Sequence, residues 1–210
     1  MSHTYSYSKI NTFKNCPQQY KIIYLDKIRK QDESIEAFMG KRVHEVLEWL
    51  YSIKDLKNEY IVFDRILKKY KELWNNNFHE NIFIARCKYN KYSYNKSSVY
   101  QIGIDCLKKY YNKFSDNGYF NQRVFGSEVR FEMKIDSFKF IGYIDRIDKN
   151  DDGSIDIIDY KTSKRDKSYY QAKNDFQLAI YYLAAKELFE NAKINLNLFY
   201  LRTDKFIKIE

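Results

Sequence analysis

Near residue 123 the spacing of apolar residues changes from the 3.6-residue period of a helix to the two-residue period of a strand. The chain must therefore combine a helical portion with a sheet. Over residues 35–51, Met39, Val43, Val46, Leu47 and Leu50 fall at helical spacing. A second stripe of Ile61, Ile66, Leu67, Tyr70, Leu73 and Trp74 predicts a helix over 60–74. Residues 75–97 lose the pattern to Asn, Tyr and Lys and read as a long loop, which in a compact domain is usually functional or mobile. Helix returns over 99–114 and stops near Asn117 and Gly118.

Beyond residue 123, Val129, Phe131 and Met133 alternate with Glu128, Arg130 and Glu132. Residues 138–148 and 154–161 read as two strands joined by the turn Asn150-Asp151-Asp152-Gly153. A helix over 169–190, a strand over 194–201 and a further strand at Phe206 complete an α/β order with a mixed sheet and helices on its faces. No internal repeat is visible. One proline and six glycines leave little room for a flexible linker. The expectation is a single domain over 1–210, mainly helical over 1–118 and sheet-containing over 123–210.

Composition narrows the classes of function. At 44% hydrophobic the chain can bury a core. Its longest apolar runs fall far short of the ~20 residues that span a bilayer, and its N-terminus has no secretory pattern. Three cysteines (Cys16, Cys87 and Cys106) without paired spacing argue against a disulfide framework and fit a reducing cytoplasm. Thirty-seven Lys and Arg against 28 Asp and Glu give +9, a balance that suits a polyanionic partner. A/T-rich codons encode Lys, Asn, Ile and Tyr alike, so a biased genome offers an equal account of that basicity.

The strand Ile155-Asp156-Ile157-Ile158-Asp159-Tyr160-Lys161 carries the chemistry. Asp159 and Lys161 are two apart and project from the face that also carries Ile155 and Ile157. Ending an apolar face with an unpaired carboxylate or ammonium costs several kcal/mol, so these groups need a partner or a metal. Counted back from the turn, Asp145 reaches the level of Asp159, and two close carboxylates repel unless a cation lies between them. A lysine beside a divalent ion steadies developing charge. Taken alone, an Asp-x-Lys pair is as easily an exposed ion pair on an ordinary hairpin. A second cation pattern runs from Asp148 through Asn150 and Asp152 to Asp159 and nearly satisfies an EF-hand loop. Both its flanks alternate as strands, so it reads as a turn.

Five motifs in order give the chain a family resemblance. Ser8, Phe13, Cys16, Pro17 and Tyr20 match S-x4-F-x-x-C-P-x-x-Y, and Gly40 and His44 match G-x-x-x-H. Gly142, Asp145, Arg146 and Asp148 match G-x-x-D-R-x-D, Asp159, Tyr160 and Lys161 match D-Y-K, and Gln177 and Tyr181 match Q-x-x-x-Y. The sequence resembles the RecB-like branch of the PD-(D/E)XK nuclease superfamily over most of its length. The resemblance implies a restriction-endonuclease-like α/β core, a mixed central sheet flanked by helices, with an N-terminal helical portion.

It also implies a metal-dependent deoxyribonuclease, an exonuclease of recombination, repair or foreign-DNA processing. His44, Asp145, Asp159 and the Tyr160 carbonyl would hold Mg²⁺ or Mn²⁺. Lys161 would act on the nucleophile, and Gln177 and Tyr181 would position the DNA strand. Glu128 matches an acidic residue of the family's first strand, though its alternation with Arg130 and Glu132 places it equally well on a solvated face. Many members carry an iron–sulfur cluster on a cysteine at the Cys16 position and three near the C-terminus. No cysteine follows Cys106, so no such cluster is expected. Lys88, Lys91 and Lys96, interleaved with tyrosines, and Lys164, Arg165 and Lys167 after Lys161 are candidate DNA contacts. DNA is the expected partner, with a helicase or CRISPR-associated protein beside it, no membrane, and a cytoplasmic location. The alternative is a non-cleaving nucleic-acid-binding module of such an assembly.

Overall fold

The computed structural model describes residues 4–28, 32–53, 59–84, 94–120 and 123–209. The elements run β1 (Thr4–Tyr5), α1 (Tyr7–Asn15), α2 (Pro17–Tyr20), a π-turn (Lys21–Leu25), β2 (Glu33–Ser34), α3 (Ile35–Ser52), α4 (Phe63–Asn77), β3 (Ile82–Phe83) and α5 (Lys96–Phe114). They continue β4 (Ser115–Asp116), β5 (Tyr119–Phe120), β6 (Val124–Ile135), β7 (Phe138–Lys149), β8 (Ile155–Lys161), α6 (Tyr169–Lys173), α7 (Phe176–Leu188), β9 (Ile194–Tyr200) and β10 (Lys205–Ile209). The main sheet is mixed, in the order β1-β7-β8-β9-β10, with β6 also paired to β7. The β6–β7–β8 meander is antiparallel, β8 and β9 are parallel, and β1 joins β7 in parallel.

Strand β8 is apolar on both faces because both are covered. Ile158 and Tyr160 pack with Phe199 and Leu201 against a core supplied by α3, α4 and α5. Ile155 and Ile157 pack with Leu198 and Tyr200 against Leu178, Tyr181 and Ala185 of α7. A strand buried on both faces reads as a near-continuous apolar run; of the departures from it, Asp156 accepts from Asn195 of β9, and Asp159 and Lys161 stand out.

Two expectations from periodicity change. The single helix over 169–190 is two helices: the Asp175 carboxylate accepts the backbone N–H groups of Gln177 and Leu178 and starts α7 as a new N-cap. The loop over 75–97 is shorter. Helix α4 runs on to Asn77, and α5 begins at Lys96, where Asn95 and Ser98 form a reciprocal capping box. Residues 85–93 of that stretch lie outside the described residues.

One buried cation joins the layers. Arg146, on the face of β7 turned toward α3 and α5, is 2% exposed. It makes a two-pronged pair with Asp148 at 2.6 Å per bond. It also donates to the Tyr51 hydroxyl of α3 and the Tyr110 hydroxyl of α5 at 2.9 and 2.8 Å. Tyr110 in turn lies 2.9 Å, hydroxyl to hydroxyl, from Tyr160 of β8. Arg146→Ala should destabilise the protein by ~3–5 kcal/mol in urea unfolding, since Asp148 is left buried and unpaired. Arg146→Lys should recover little of that loss, because a point ammonium cannot reproduce the fork.

Candidate active site

The β7–β8 ladder ends at the pair Arg146↔Ile158. One step further, Asp145 comes level with Asp159, and its side chain replaces the next rung by accepting the Tyr160 backbone N–H on Oδ2 at 2.7 Å. On the same edge of β7, strand β1 pairs only at Lys139 and Phe140. Residues 141–145 are therefore flanked on that side by neither strand, and the sheet has a slot there. The alternation of β7 also breaks: Ile144 and Ile147, three apart, both belong to the core under α7. Across from Asp145, between the pairs Ser127↔Arg146 and Val129↔Ile144, Glu128 takes the left-handed φ of 47°.

Helix α3 brings the third member. A Cβ on Gly40 would lie 2.8 Å from Thr162 Oγ1, so glycine lets the helix pass close to the end of β8. One turn later the His44 ring stands edge-on to Tyr160 at 5.9 Å. His44 Nδ1 is 3.6 Å from Asp145 Oδ2 and 3.8 Å from Glu128 Oε1, too long for hydrogen bonds. His44, Glu128 and Asp145 each offer one ligand atom, all within 4.8 Å of one another.

The second half of the site lies on β8 and α7. Asp159 is 1% exposed. Lys161 Nζ sits 2.6 Å from its Oδ2, off the hydrogen-bonding direction, so that buried oxygen has no hydrogen bond. Lys161 donates instead to Gln177 Oε1 at 2.9 Å, and Gln177 Nε2 donates to the Tyr181 hydroxyl at 2.8 Å. The i,i+4 spacing of Gln177 and Tyr181 on α7 sets that chain.

Electrostatics follow from burial among acids. Burial alone would lower the His44 pKa, but Asp145, then Glu128 and Asp159, outweigh it and push the imidazole up to about 9. Burial raises the Asp145 carboxyl against the opposing pull of His44, and Asp159 raises it further. Burial likewise raises Asp159, with Lys161 opposing. Lys161 is raised because Asp159 more than offsets its own desolvation. An imidazole, two converging carboxylates and a buried carboxylate oxygen nearby, met by the Lys161 ammonium, are a donor set that suits a divalent cation.

The expected set is thus assembled in part. His44 and Asp145 come together, but Glu128 completes their group and Asp159 stands outside it, beside Lys161. Alternation left Glu128 undecided; the positive φ that turns it toward His44 has no signature in apolar spacing. Tyr181, expected to position a DNA strand, is only 5% exposed and is turned to Gln177. Lys167 is taken up by an ion pair with Asp175, and its backbone N–H donates to the Tyr200 hydroxyl. Lys164 and Arg165 are exposed on the segment after β8. Lys96 opens α5 with its Nζ 3.4 Å from the centre of the Phe78 ring. Lys88 and Lys91 lie outside the described residues. Asp148, the first member of the EF-hand-like pattern, is held by Arg146. Cys16 caps α2 with its sulfur.

Comparison with known proteins places these features in a family. The model of the PD-(D/E)XK nuclease superfamily matches residues 4–210. One subunit of the ATP-dependent helicase/deoxyribonuclease of Streptococcus agalactiae, in serotypes Ia, V and III, is 31% identical over 164 residues. That match takes in 75% of this chain and 14% of the relative, so the chain spans about a seventh of the curated relatives. A crystal structure from Eubacterium rectale, provisionally described as an exonuclease, superposes with a TM-score of 0.53 at 13% identity. The superposition covers 98% of this chain and 72% of the other. A helix bearing His44 set against a meander bearing Glu128, Asp145, Asp159 and Lys161 agrees with that match along the chain, which belongs to the PD-(D/E)XK nuclease superfamily.

Proposed function

We propose that residues 1–210 form one metal-dependent deoxyribonuclease domain of the RecB-like kind that cuts phosphodiester bonds as an exonuclease. The observation that carries this reading is the juxtaposition of the His44–Glu128–Asp145 group with the buried Asp159–Lys161 pair at the slot in the sheet. His44, Glu128 and Asp145 would hold Mg²⁺ or Mn²⁺, with Asp159 and the Tyr160 carbonyl as further ligands. The carbonyl is included because the Tyr160 N–H, which shares its side of the strand, already faces Asp145. A divalent ion bound there supplies a water of lowered pKa and positive charge for the developing phosphorane.

The chain's own groups do the rest. Lys161 presents a fixed ammonium for negative charge building on the phosphate oxygens, and Asp159 and Gln177 hold it against rotation. Tyr181 fixes the amide orientation of Gln177, so this pair positions Lys161 rather than the DNA. The exposed Lys164, Arg165 and Lys96 would contact the phosphate backbone, and we assign the same role to Lys88 and Lys91 on their sequence pattern alone. DNA is accordingly the substrate. The similarity to part of a helicase/deoxyribonuclease supports a helicase partner and work in recombination or repair. Among the described residues no helix is long and apolar enough to cross a membrane; we place the protein in the cytoplasm.

Labelled single- and double-stranded DNA incubated with Mg²⁺, Mn²⁺ or EDTA tests the reading: cleavage should require the metal. Lys161→Ala should lower the rate about 10²–10³-fold while metal binding persists, whereas Asp145→Asn should lose both. Wild-type cleavage by Lys161→Ala would sink the mechanism.

The site also sets a pH response. The folded protein keeps a proton on His44 up to about pH 9, whereas an unfolded histidine releases it near 6.5. That contribution is complete below 6.5 and is lost as the pH rises through 9. In EDTA, stability should fall by on the order of 1–3 kcal/mol over that interval. Mn²⁺ competes with the proton and should reverse the fall. Thermal unfolding of wild type and His44→Gln, with and without Mn²⁺, reads both effects; an identical fall in His44→Gln would assign it elsewhere.

A further inference from the structure

The β6–β7 hairpin continues past the site. Its register sets Arg130 across from Tyr143, two residues along from Glu128 and Asp145 on their respective strands. At ~3.3 Å per residue the pair lies about 7 Å from the His44–Glu128–Asp145 group. The next pair, Phe131↔Gly142, identifies the faces. Phe131 fills the space a side chain at Gly142 would occupy, and its ring packs against Tyr181 of α7. Arg130 and Tyr143 therefore project from the opposite face, the one on which α3 delivers His44.

Tyr143 is 53% exposed, and no other ring among the described residues packs against it. The Arg130 side chain is 57% exposed, with its guanidinium 3.2 Å from Glu132 Oε2 on the strand surface. A flat aromatic face and a planar cation thus stand side by side, directly in line with the metal-ligating group and contributing nothing to either core.

We propose that Tyr143 and Arg130 hold the nucleotide adjoining the scissile phosphate: the Tyr143 ring stacks on its base and the Arg130 guanidinium pairs with its phosphate. The assignment rests on the nuclease reading above and adds a contact to it. Stacking on an open ring rewards a base with a free face. A base inside a duplex is already stacked on both sides and gains nothing, so the pair discriminates for unpaired DNA.

Anisotropy of a fluorescein-labelled oligothymidylate, compared with a blunt duplex, tests this in Ca²⁺ or EDTA. Tyr143→Leu should weaken single-strand binding about tenfold and leave duplex binding as in wild type. Tyr143→Trp should retain affinity, since it keeps the aromatic face. Arg130→Ala should weaken the single-strand complex and flatten its salt dependence by about one ion. Unchanged single-strand affinity in Tyr143→Leu, or equal loss for single strand and duplex, overturns the proposal. Metal-dependent cleavage by a Tyr143→Leu protein of wild-type affinity would reject the platform and keep the nuclease. A wild-type protein that cuts no DNA, yet binds single strands through Tyr143, would reject the nuclease and keep the platform.

Discussion

Everything at the slot depends on a charge buried behind it. Arg146 follows Asp145 in sequence and points to the face covered by α3 and α5, where it meets Asp148, Tyr51 and Tyr110. Through Tyr110 it also reaches Tyr160, whose N–H the Asp145 carboxylate accepts. The two residues that flank the slot are thus each anchored, one position away or on their own side chain, to a network shared with α3 and α5. A hydrophobic contact between helix and sheet would tolerate sliding. A forked guanidinium with four oxygen partners sets a register, and α3, which carries His44, inherits that register through Tyr51.

A second anchor serves the other half of the site. Asp175 caps the start of α7 and pairs with Lys167 on the segment leaving β8. The cap decides where the first turn of α7 sits, and Gln177 is in that turn. Gln177 decides where the Lys161 ammonium rests. Acids dominate this small region although the chain as a whole carries +9. Glu128, Asp145, Asp159 and Asp175 are met by a protonated His44, Lys161 and Lys167; the acids hold the proton on His44, while burial, against the pull of His44 and Lys161, raises the Asp145 and Asp159 carboxyls.

The sequence was informative where one rule operated along a whole element. The shift of period near residue 123 separates helices from sheet, the turn at 150–153 sets the β7–β8 hairpin, and that hairpin brings Asp145 level with Asp159. It was silent where a single residue breaks the rule. Glu128 turns toward His44 through one left-handed residue, which alternation cannot register. The apolar stripe from Tyr169 onward runs smoothly through Asp175, where a side chain rather than a pattern starts a new helix. Lys167 looks like any basic residue after the D-x-K strand, and only the fold brings it to Asp175. The tie between Arg146 and Tyr51 spans 95 residues, a separation at which no local spacing speaks.

Strand β1 also has a kinetic consequence. Thr4 and Tyr5 pair with Lys139 and Phe140, so one wall of the slot and its neighbour come from segments far apart in the sequence. Closing so long a loop is entropically expensive and gains little until the meander exists to receive the strand. On a ribosome Thr4 and Tyr5 must therefore wait, unpaired, until the chain through Phe140 has been made. The entrance to the site thus depends on a segment made long before the strand that receives it, and it is among the last parts to assemble.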